Sequence, residues 1–344
     1  MNNIKIALVG CGGTAKNYRH IYTEIPGAEL AMIIDANEKV AREVAETLRV
    51  KRWSTRFEDC LTPDIDIVDI STPNHLHHEQ AIAALQADKH ILMQKPLASN
   101  VEQAEDIVRL AKETGKTAGM YMFLFDNPLF YDIKDMVGKG MFGEISGLHC
   151  RVAHKGGLGM KEGNWRQSRE KTGGGAFIQL AVHNMNMLKW LIDSHITGVM
   201  AYSKNLLCPN VGGDDLTAAV CEFDSGALGT VTAAYCAGGD ELSLYGTKGS
   251  IFIDDFKYVT LTLSEPWHGS SITYNTPGER KMIEMPYWSR SLFDAKNPYD
   301  QHVAFIKAVQ NSDPAPIPLQ VGLDDMKIVR AVYESAQTGK SVSV

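Results

Sequence analysis

The chain predicts an α/β protein: an N-terminal, doubly wound parallel sheet, then a C-terminal α+β domain with an open, largely antiparallel sheet. Three observations carry this. A glycine turn, Gly10-Cys11-Gly12-Gly13-Thr14-Ala15, directly follows the apolar run Ile4-Lys5-Ile6-Ala7-Leu8-Val9. Short apolar runs alternate with helical patterns up to about Met122. Beyond Pro128 the texture changes to successive β-branched and aromatic runs, many separated by turns containing Gly or Asp.

Taken in order, residues 15–25 form a first helix ended by Pro26-Gly27, and residues 30–34 a second strand ending at Asp35. A helix over 37–49 follows, then a weak strand near 51–53 and a short run at 65–70 suited to burial in a parallel sheet. The pattern continues with an amphipathic helix over 78–87, a strand over 90–93, a helix over 101–114 and a strand over 117–122. A helix over 129–137 then leads into strands at 144–153, 196–202, 218–223, 228–234, 242–245, 250–253 and 259–263. Helices return at 300–311 and 321–338. The domains read as 1–124 and 125–344, with the C-terminal helices able to pack back on the first.

The 344 residues suit two domains, and 44% apolar residues suffice for sizeable cores. A net charge of −7 with no basic stretch argues against nucleic acid or an anionic membrane as partner. The six cysteines (Cys11, Cys60, Cys150, Cys208, Cys221, Cys236) form no C-x-x-C pair, so free thiols are expected, with neither a disulfide framework nor a metal site. Met1-Asn2-Asn3 leads straight into the first strand with no room for a signal peptide, and no apolar stretch is long enough to span a bilayer. A cytoplasmic chain is expected.

The glycine turn reads G-x-G-x-x-A between a strand and a helix, the dinucleotide-binding fingerprint in its proper setting. Gly10 permits the tight turn, Gly12 lets a pyrophosphate approach the backbone, and Ala15 lets helix and strand pack. Gly13 and Thr14 complete the turn, whose N–H groups favour an anion. Asp35, at the tip of the second strand, accepts hydrogen bonds from a ribose diol and repels a 2′-phosphate, which favours NAD over NADP. The plainer reading of Asp35 is a cap for the helix that follows.

Three further segments matter. Thr72-Pro73-Asn74-His75-Leu76-His77-His78 lies at the C-terminal end of a buried strand, where doubly wound sheets bind ligands. Its histidines lack an acidic second shell, so ordinary satisfied histidines are favoured over a metal. Gln94-Lys95-Pro96 also ends a strand, which points Lys95 towards the same crevice. Gly173-Gly174-Gly175 opens a helical pattern that sets Gln179, His183 and Asn186 at i, i+4 and i+7 on one face. Standing alone, that segment reads as a buried amphipathic helix with a core histidine.

Together these segments resemble the Gfo/Idh/MocA oxidoreductase family over nearly the whole chain. The matching motifs are the glycine turn Gly10 to Ala15, Thr72-Pro73-Asn74 with His77, Gln94-Lys95-Pro96, Trp165-Arg166, and the helix from Gly173 to His183. The resemblance implies an N-terminal Rossmann domain, a C-terminal α/β domain with an open antiparallel sheet, and NAD(P)-dependent redox chemistry on sugars and polyols. It assigns proton handling to Lys95 and His183, with Gln179 orienting His183. Gly10, Gly12, Gly13, Thr14, Ala15, Asp35, Thr72, Pro73, Asn74, His77, Gln94 and Lys95 would hold the cofactor. Trp165, Arg166, Gln179, Asn186, Lys95 and His183 would contact substrate.

The departures are consistent in kind. Gln94, Gln179 and Asn186 stand where the family carries carboxylates, and Ala181 replaces a glycine. Without those acids Lys95 and His183 hold their protons less tightly, and a base poised nearer neutrality suits an alcohol. The crevice is also expected to be more positive, with Lys155 and Lys161 adding charge if their loop folds over it, which would favour a substrate bearing a carboxylate or phosphate. Otherwise the amides read sugar hydroxyls. The expectation is an NAD-dependent dehydrogenase of a sugar, polyol or derivative, paired as a homodimer or homotetramer through its exposed sheet face. Two alternatives stand: a redox-neutral, glycosidase-like enzyme using bound NAD transiently, and a non-catalytic dinucleotide-binding sensor.

Overall fold

The structure is a computed structural model describing residues 3–255, 258–284, 296–297 and 300–344. It divides into two compact units, Met1–Asp126 with Arg290–Asp324, and Asn127–Ser289 with Asp325–Val344.

The first unit is built on six strands: β1 (Ile4–Val9), β2 (Ala28–Ile34), β3 (Arg52–Ser54), β4 (Ile67–Ile70), β5 (His90–Met93) and β6 (Ala118–Met120). All neighbours are parallel, in the order β3-β2-β1-β4-β5-β6. The order reverses between β1 and β4, which opens a crevice at their C-terminal ends. Helices α1 (Ala15–Tyr18), α2 (Glu38–Leu48), α3 (Asn74–Gln86) and α4 (Val101–Thr114) connect the strands.

Two helices depart from expectation. The stretch 15–25 is not one helix: α1 is a single turn, and a 3-10 turn follows at Ile21–Thr23. Tertiary contacts decide this, because the hydroxyls of Tyr18 and Tyr22 both reach Asp69 of β4 while Arg19 turns back to the Cys11 carbonyl. By contrast α3 starts earlier than its hydropathy period suggests. The inward positions of its first turn are Asn74 and His77, both buried and both polar, so no apolar periodicity marks them.

The second unit opens with α5 (Pro128–Gly138), β7 (Ile145–Ala153), the short α6 (Arg169–Thr172) and α7 (Val182–Ile192). There follow β8 (Ile196–Lys204), β9 (Leu216–Phe223), β10 (Leu228–Ala234), β11 (Glu241–Gly246), β12 (Gly249–Asp254) and β13 (Tyr258–Leu263). The pair β14 (Trp267–His268) and β15 (Thr273–Tyr274) forms its own small ladder, before β16 (Lys281–Glu284). Among the described residues, nine strands make one sheet, ordered β16-β13-β12-β11-β7-β10-β9-β8-β17, where β17 is Val342–Ser343. Among the described residues, β7 and β10 are the only parallel neighbours in it.

Alternation along β9 gives the sheet two different faces there. Along β9, Ala219, Cys221 and Phe223 point inward, whereas Ala218, Val220 and Glu222 are exposed. Met200 and Tyr202 of β8 and Leu228 of β10 are also exposed.

Helix α8 (Gln301–Asn311) and the start of α9 (Leu319–Thr338) belong to the first unit. Phe305 and Ile306 of α8 pack with Ile6, Leu8, Ile33 and Leu92 of the sheet and Val44 of α2. Burying Phe305 contributes ~2–3 kcal/mol, so the C-terminal segment is part of that core. No helix among the described residues is long and apolar enough to cross a membrane.

Candidate active site

In the first unit the glycine turn leaves β1 with Gly10 at φ +86°. A Cβ there would lie 2.7 Å from the Ser71 carbonyl, so both conformation and space demand glycine. Gly13 is also left-handed, at φ +41°. A Cβ at Gly12 would meet nothing within 4 Å, which leaves that stretch of backbone open to a ligand. Thr14 is exposed and Ala15 is fully buried against the sheet.

Asp35 ends β2 half-buried, accepting the Cys11 N–H and the Asn37 N–H, each at 2.9 Å. The capping alternative is thereby settled: Asn37 caps α2, its side chain accepting the Val40 N–H at 3.3 Å. Asp35 faces the glycine turn instead.

The next two segments are tied together from within. The Thr72 hydroxyl donates to Gln80 at 2.7 Å, and Asn74 is buried in the first turn of α3. The ring of His77 is fully buried between the carbonyls of Thr72 (2.9 Å) and Pro96 (2.8 Å). Burial pushes its pKa down, and the neutral ring donates to one of the two carbonyls. His77 thereby ties the Thr72 segment to the Lys95 segment. Gln94, 6% exposed, donates to the Tyr18 hydroxyl at 3.4 Å, and half-buried Lys95 follows it.

In the second unit, the triple glycine is anchored by a residue the sequence did not single out. Buried Asp214 accepts the N–H groups of Gly175 and Phe177, both at 2.9 Å, and the hydroxyls of Tyr333 and Thr217, both at 2.7 Å. A Cβ on Gly174 would collide with the Tyr333 hydroxyl, and one on Gly175 with the Asp214 backbone.

The regular helix expected here is not regular. Phe177–Ala181 is a π turn that passes into α7 at Val182. The wider turn shifts the phase of Gln179 relative to Asn186, so the simple i, i+4, i+7 face is broken within the segment carrying His183. Gln179 is 5% and His183 7% exposed. The Asn186 amide donates to Val182 O at 3.1 Å and to Asp325 of α9, which also pairs with Lys189 at 2.9 Å. Both donors of the Asn186 amide are thereby engaged.

Trp165 and Arg166 lie in a short 3-10 turn and are half-buried, with the guanidinium 4.4 Å from the Trp165 ring centroid. Arg166 also hydrogen-bonds Tyr235; burial pushes that phenol up to about 12 although the cation opposes it. Lys155 and Lys161 are exposed. Among the described residues, no group of three or more His, Cys, Asp or Glu side chains is placed to hold a metal ion.

The geometry of the first unit fits a dinucleotide: a glycine turn open at Gly12, an acid at the tip of β2 facing it, and two further segments at the C-terminal ends of β4 and β5. With the α/β unit that follows, this defines an NAD-binding oxidoreductase. Residues 4–122 match the model of the oxidoreductase family's NAD-binding Rossmann fold, and residues 134–344 match that of its C-terminal alpha/beta domain. The chain belongs to the Gfo/Idh/MocA oxidoreductase family.

Among curated relatives, scyllo-inositol 2-dehydrogenase (NAD(+)) of Bacillus subtilis (strain 168) is 30% identical over 76% of this chain and 77% of its own. The 2,7-anhydro-N-acetylneuraminate hydratase of Escherichia coli (strain K12) is 31% identical over 73% and 68%. Among solved structures, levoglucosan dehydrogenase in complex with NADH and levoglucosan superposes with a TM-score of 0.86, covering 100% of both chains at 22% identity.

Proposed function

We propose that the protein is a dehydrogenase that oxidises a hydroxyl group of a sugar, polyol or sugar derivative with NAD. The carrying observation is the π turn that delivers Gln179 and His183, both nearly buried, from a helix start fixed by Asp214. A polar pair held in a helix distortion inside an apolar layer is costly to build, and such distortions recur at functional sites.

NAD, when bound, supplies the hydride acceptor. It would be held by Gly10, Gly12, Gly13, Thr14 and Ala15, by Asp35 at the ribose, and by the segments Thr72-Pro73-Asn74 and Gln94-Lys95, which His77 ties together. His183 takes the proton of the substrate hydroxyl, Gln179 orients its ring, and Lys95 hydrogen-bonds the same oxygen. Arg166, Trp165 and the Asn186 carbonyl contact the remaining hydroxyls or an acidic group.

The test is a screen of neutral sugars, polyols, uronates and sugar phosphates with NAD and NADP, following NADH absorbance. Reduction of NAD by one class, abolished in Lys95→Ala and His183→Ala, is the expected result. A second reading, transient use of NAD in a redox-neutral step, gains support from the hydratase among the relatives. Product formed with no net NADH would select it. NAD binding with neither reaction would favour a sensor.

The exposed apolar residues Met200, Tyr202, Val220 and Leu228 support pairing with a second copy through the open sheet face. Tyr202→Glu is expected to halve the mass measured by light scattering.

A further inference from the structure

Behind the cofactor segments, the first unit holds a cluster of ionisable side chains almost sealed from water. Asp69 of β4, Asp126, Asp300, His302 of α8, Tyr18, Tyr22 and Tyr121 are each no more than 2% exposed. The His302 ring stacks on Tyr18 with centroids 4.0 Å apart, tilts against Tyr121 at 4.4 Å and meets Tyr22 edge-on at 5.4 Å. Its Nδ1 lies 3.4 Å from Asp300. An aromatic cage ringed by carboxylates suits a cation.

The cage is wired to the segments around the cofactor. The Tyr22 hydroxyl donates to Asp69 at 2.8 Å, and the Tyr121 hydroxyl to Asp126 at 2.8 Å. Tyr18 stacks on His302, lies 3.3 Å from Asp69 through its hydroxyl, pairs closely with the Ser71 hydroxyl, and accepts from Gln94 at 3.4 Å. Ser71 is the residue before Thr72, and its carbonyl fills the space where Gly10 lacks a Cβ. Gln94 is the residue before Lys95. One phenol therefore touches the residues preceding both cofactor segments and sits on the helix that follows the glycine turn.

We propose that Tyr18 is a positioning residue for the NAD site and that the protonation of the buried His302 cluster sets how firmly it holds Ser71 and Gln94. This rests on the cofactor residues assigned above. The groups facing His302 are Asp300 from its own element, Asp69 from β4, Asp126 from the turn after β6, and the three phenols. Burial opposes the imidazolium, but Asp300, Asp126 and Asp69 outweigh it and raise its pKa. Burial also lifts the Asp126 carboxyl to about 7 and that of Asp69 above its ordinary value. As pH rises through neutrality the cluster loses protons and gathers negative charge with no water to screen it. The Tyr18 contacts then loosen and NAD affinity falls.

The experiment measures NADH affinity by its fluorescence between pH 6 and 9 for wild type, Tyr18→Phe and His302→Gln, with a melting curve for each. Wild type is expected to bind several-fold more weakly at the alkaline end. Tyr18→Phe keeps the ring and loses only the hydroxyl, so it should fold, bind about tenfold more weakly at pH 6.5 and lose most of the pH dependence. His302→Gln should likewise flatten the profile. Wild-type affinity and pH dependence in Tyr18→Phe would overturn the proposal and leave the cluster a folding element, whatever His302→Gln does. NADH affinity unchanged in Asp35→Ala would instead overturn the assigned cofactor residues, a failure distinguishable from that of Tyr18.

Discussion

The two units treat buried charge in opposite ways. In the first, Asp69, Asp126 and Asp300 crowd around one histidine, and burial pushes the carboxyl pKa values of Asp69 and Asp126 up. In the second, Asp214 accepts from two N–H groups and two hydroxyls, and Asp325 is paired with Asn186 and Lys189. The first arrangement holds protons; the second holds backbone. The comparison also distinguishes two of the amides, Asn186 and Gln94. Asn186 donates directly to Asp325, and Gln94 reaches Asp69 through Tyr18. Asn186 is thus one hydrogen bond from a buried carboxyl group of its own unit, and Gln94 two.

The largest expected effect is at the residue proposed to take the substrate proton. His183→Ala is expected to lower turnover about a thousandfold while NADH binding stays unchanged, because the residue lies in the second unit and the dinucleotide segments in the first. A comparable loss of NADH affinity would show that His183 is not confined to substrate chemistry. Next in size is Asn186→Asp, which sets two carboxyl groups side by side. With Asp325 already at hydrogen-bond distance, one carboxyl must take up a proton or the pair must separate. A loss of ~2 kcal/mol in denaturant unfolding at pH 7 is expected, diminishing towards pH 5. A neutral or stabilising outcome would mean that Asp325 does not demand an amide partner.

How much of this was legible follows the same division. The glycine turn, Asp35 and the parallel alternation are encoded locally, since each needs a particular residue at a particular step of the chain. The Tyr18 cluster is not: His302 lies far along the chain from Tyr18 and Asp69, and nothing in the apolar run around Asp69 shows what meets it. Asp214 had a faint signal in Gly212-Gly213-Asp214-Asp215, which reads as a turn but not as the anchor of a distant helix. The π turn was invisible because hydropathy fixes that a segment is helical, not its local pitch. Strands β14 and β15 escaped because two residues cannot display an alternation.

Sensitivity to pH should separate the units. Asp126, with its carboxyl lifted to about 7 by burial, takes up a proton on folding; its stabilisation is complete below the ordinary carboxylate value and is lost as pH rises through about 7. His302, raised above 6.5, loses its contribution in the same direction, as pH climbs through its folded value. In the second unit Asp215 behaves oppositely. Burial would raise it, but the N–H groups of Leu206, Leu207 and Cys208 outweigh burial and hold it low, so its contribution is lost only as pH falls through that lowered value. Melting temperature is therefore expected to drop by a few degrees between pH 6 and pH 8, and the drop should shrink in Asp126→Asn. An undiminished drop in that variant would place the titrating group elsewhere.

The smallest effect tests the outer edge of the first unit, where the charge is half-exposed rather than sealed. Asp35 accepts the Cys11 N–H, which shapes the glycine turn, and it is also the group assigned to the ribose diol. These roles separate by substitution. Asp35→Asn keeps an acceptor for Cys11 but removes the charge that repels a 2′-phosphate, so NADH affinity should fall only a few-fold while the preference over NADPH narrows. Asp35→Ala removes both, and NADH affinity should fall about tenfold. Equal losses in the two variants would mean that the carboxylate acts through its charge alone. An unchanged preference for NADH over NADPH in both would place cofactor discrimination on another residue, since no Arg or Lys follows Asp35 before Lys39.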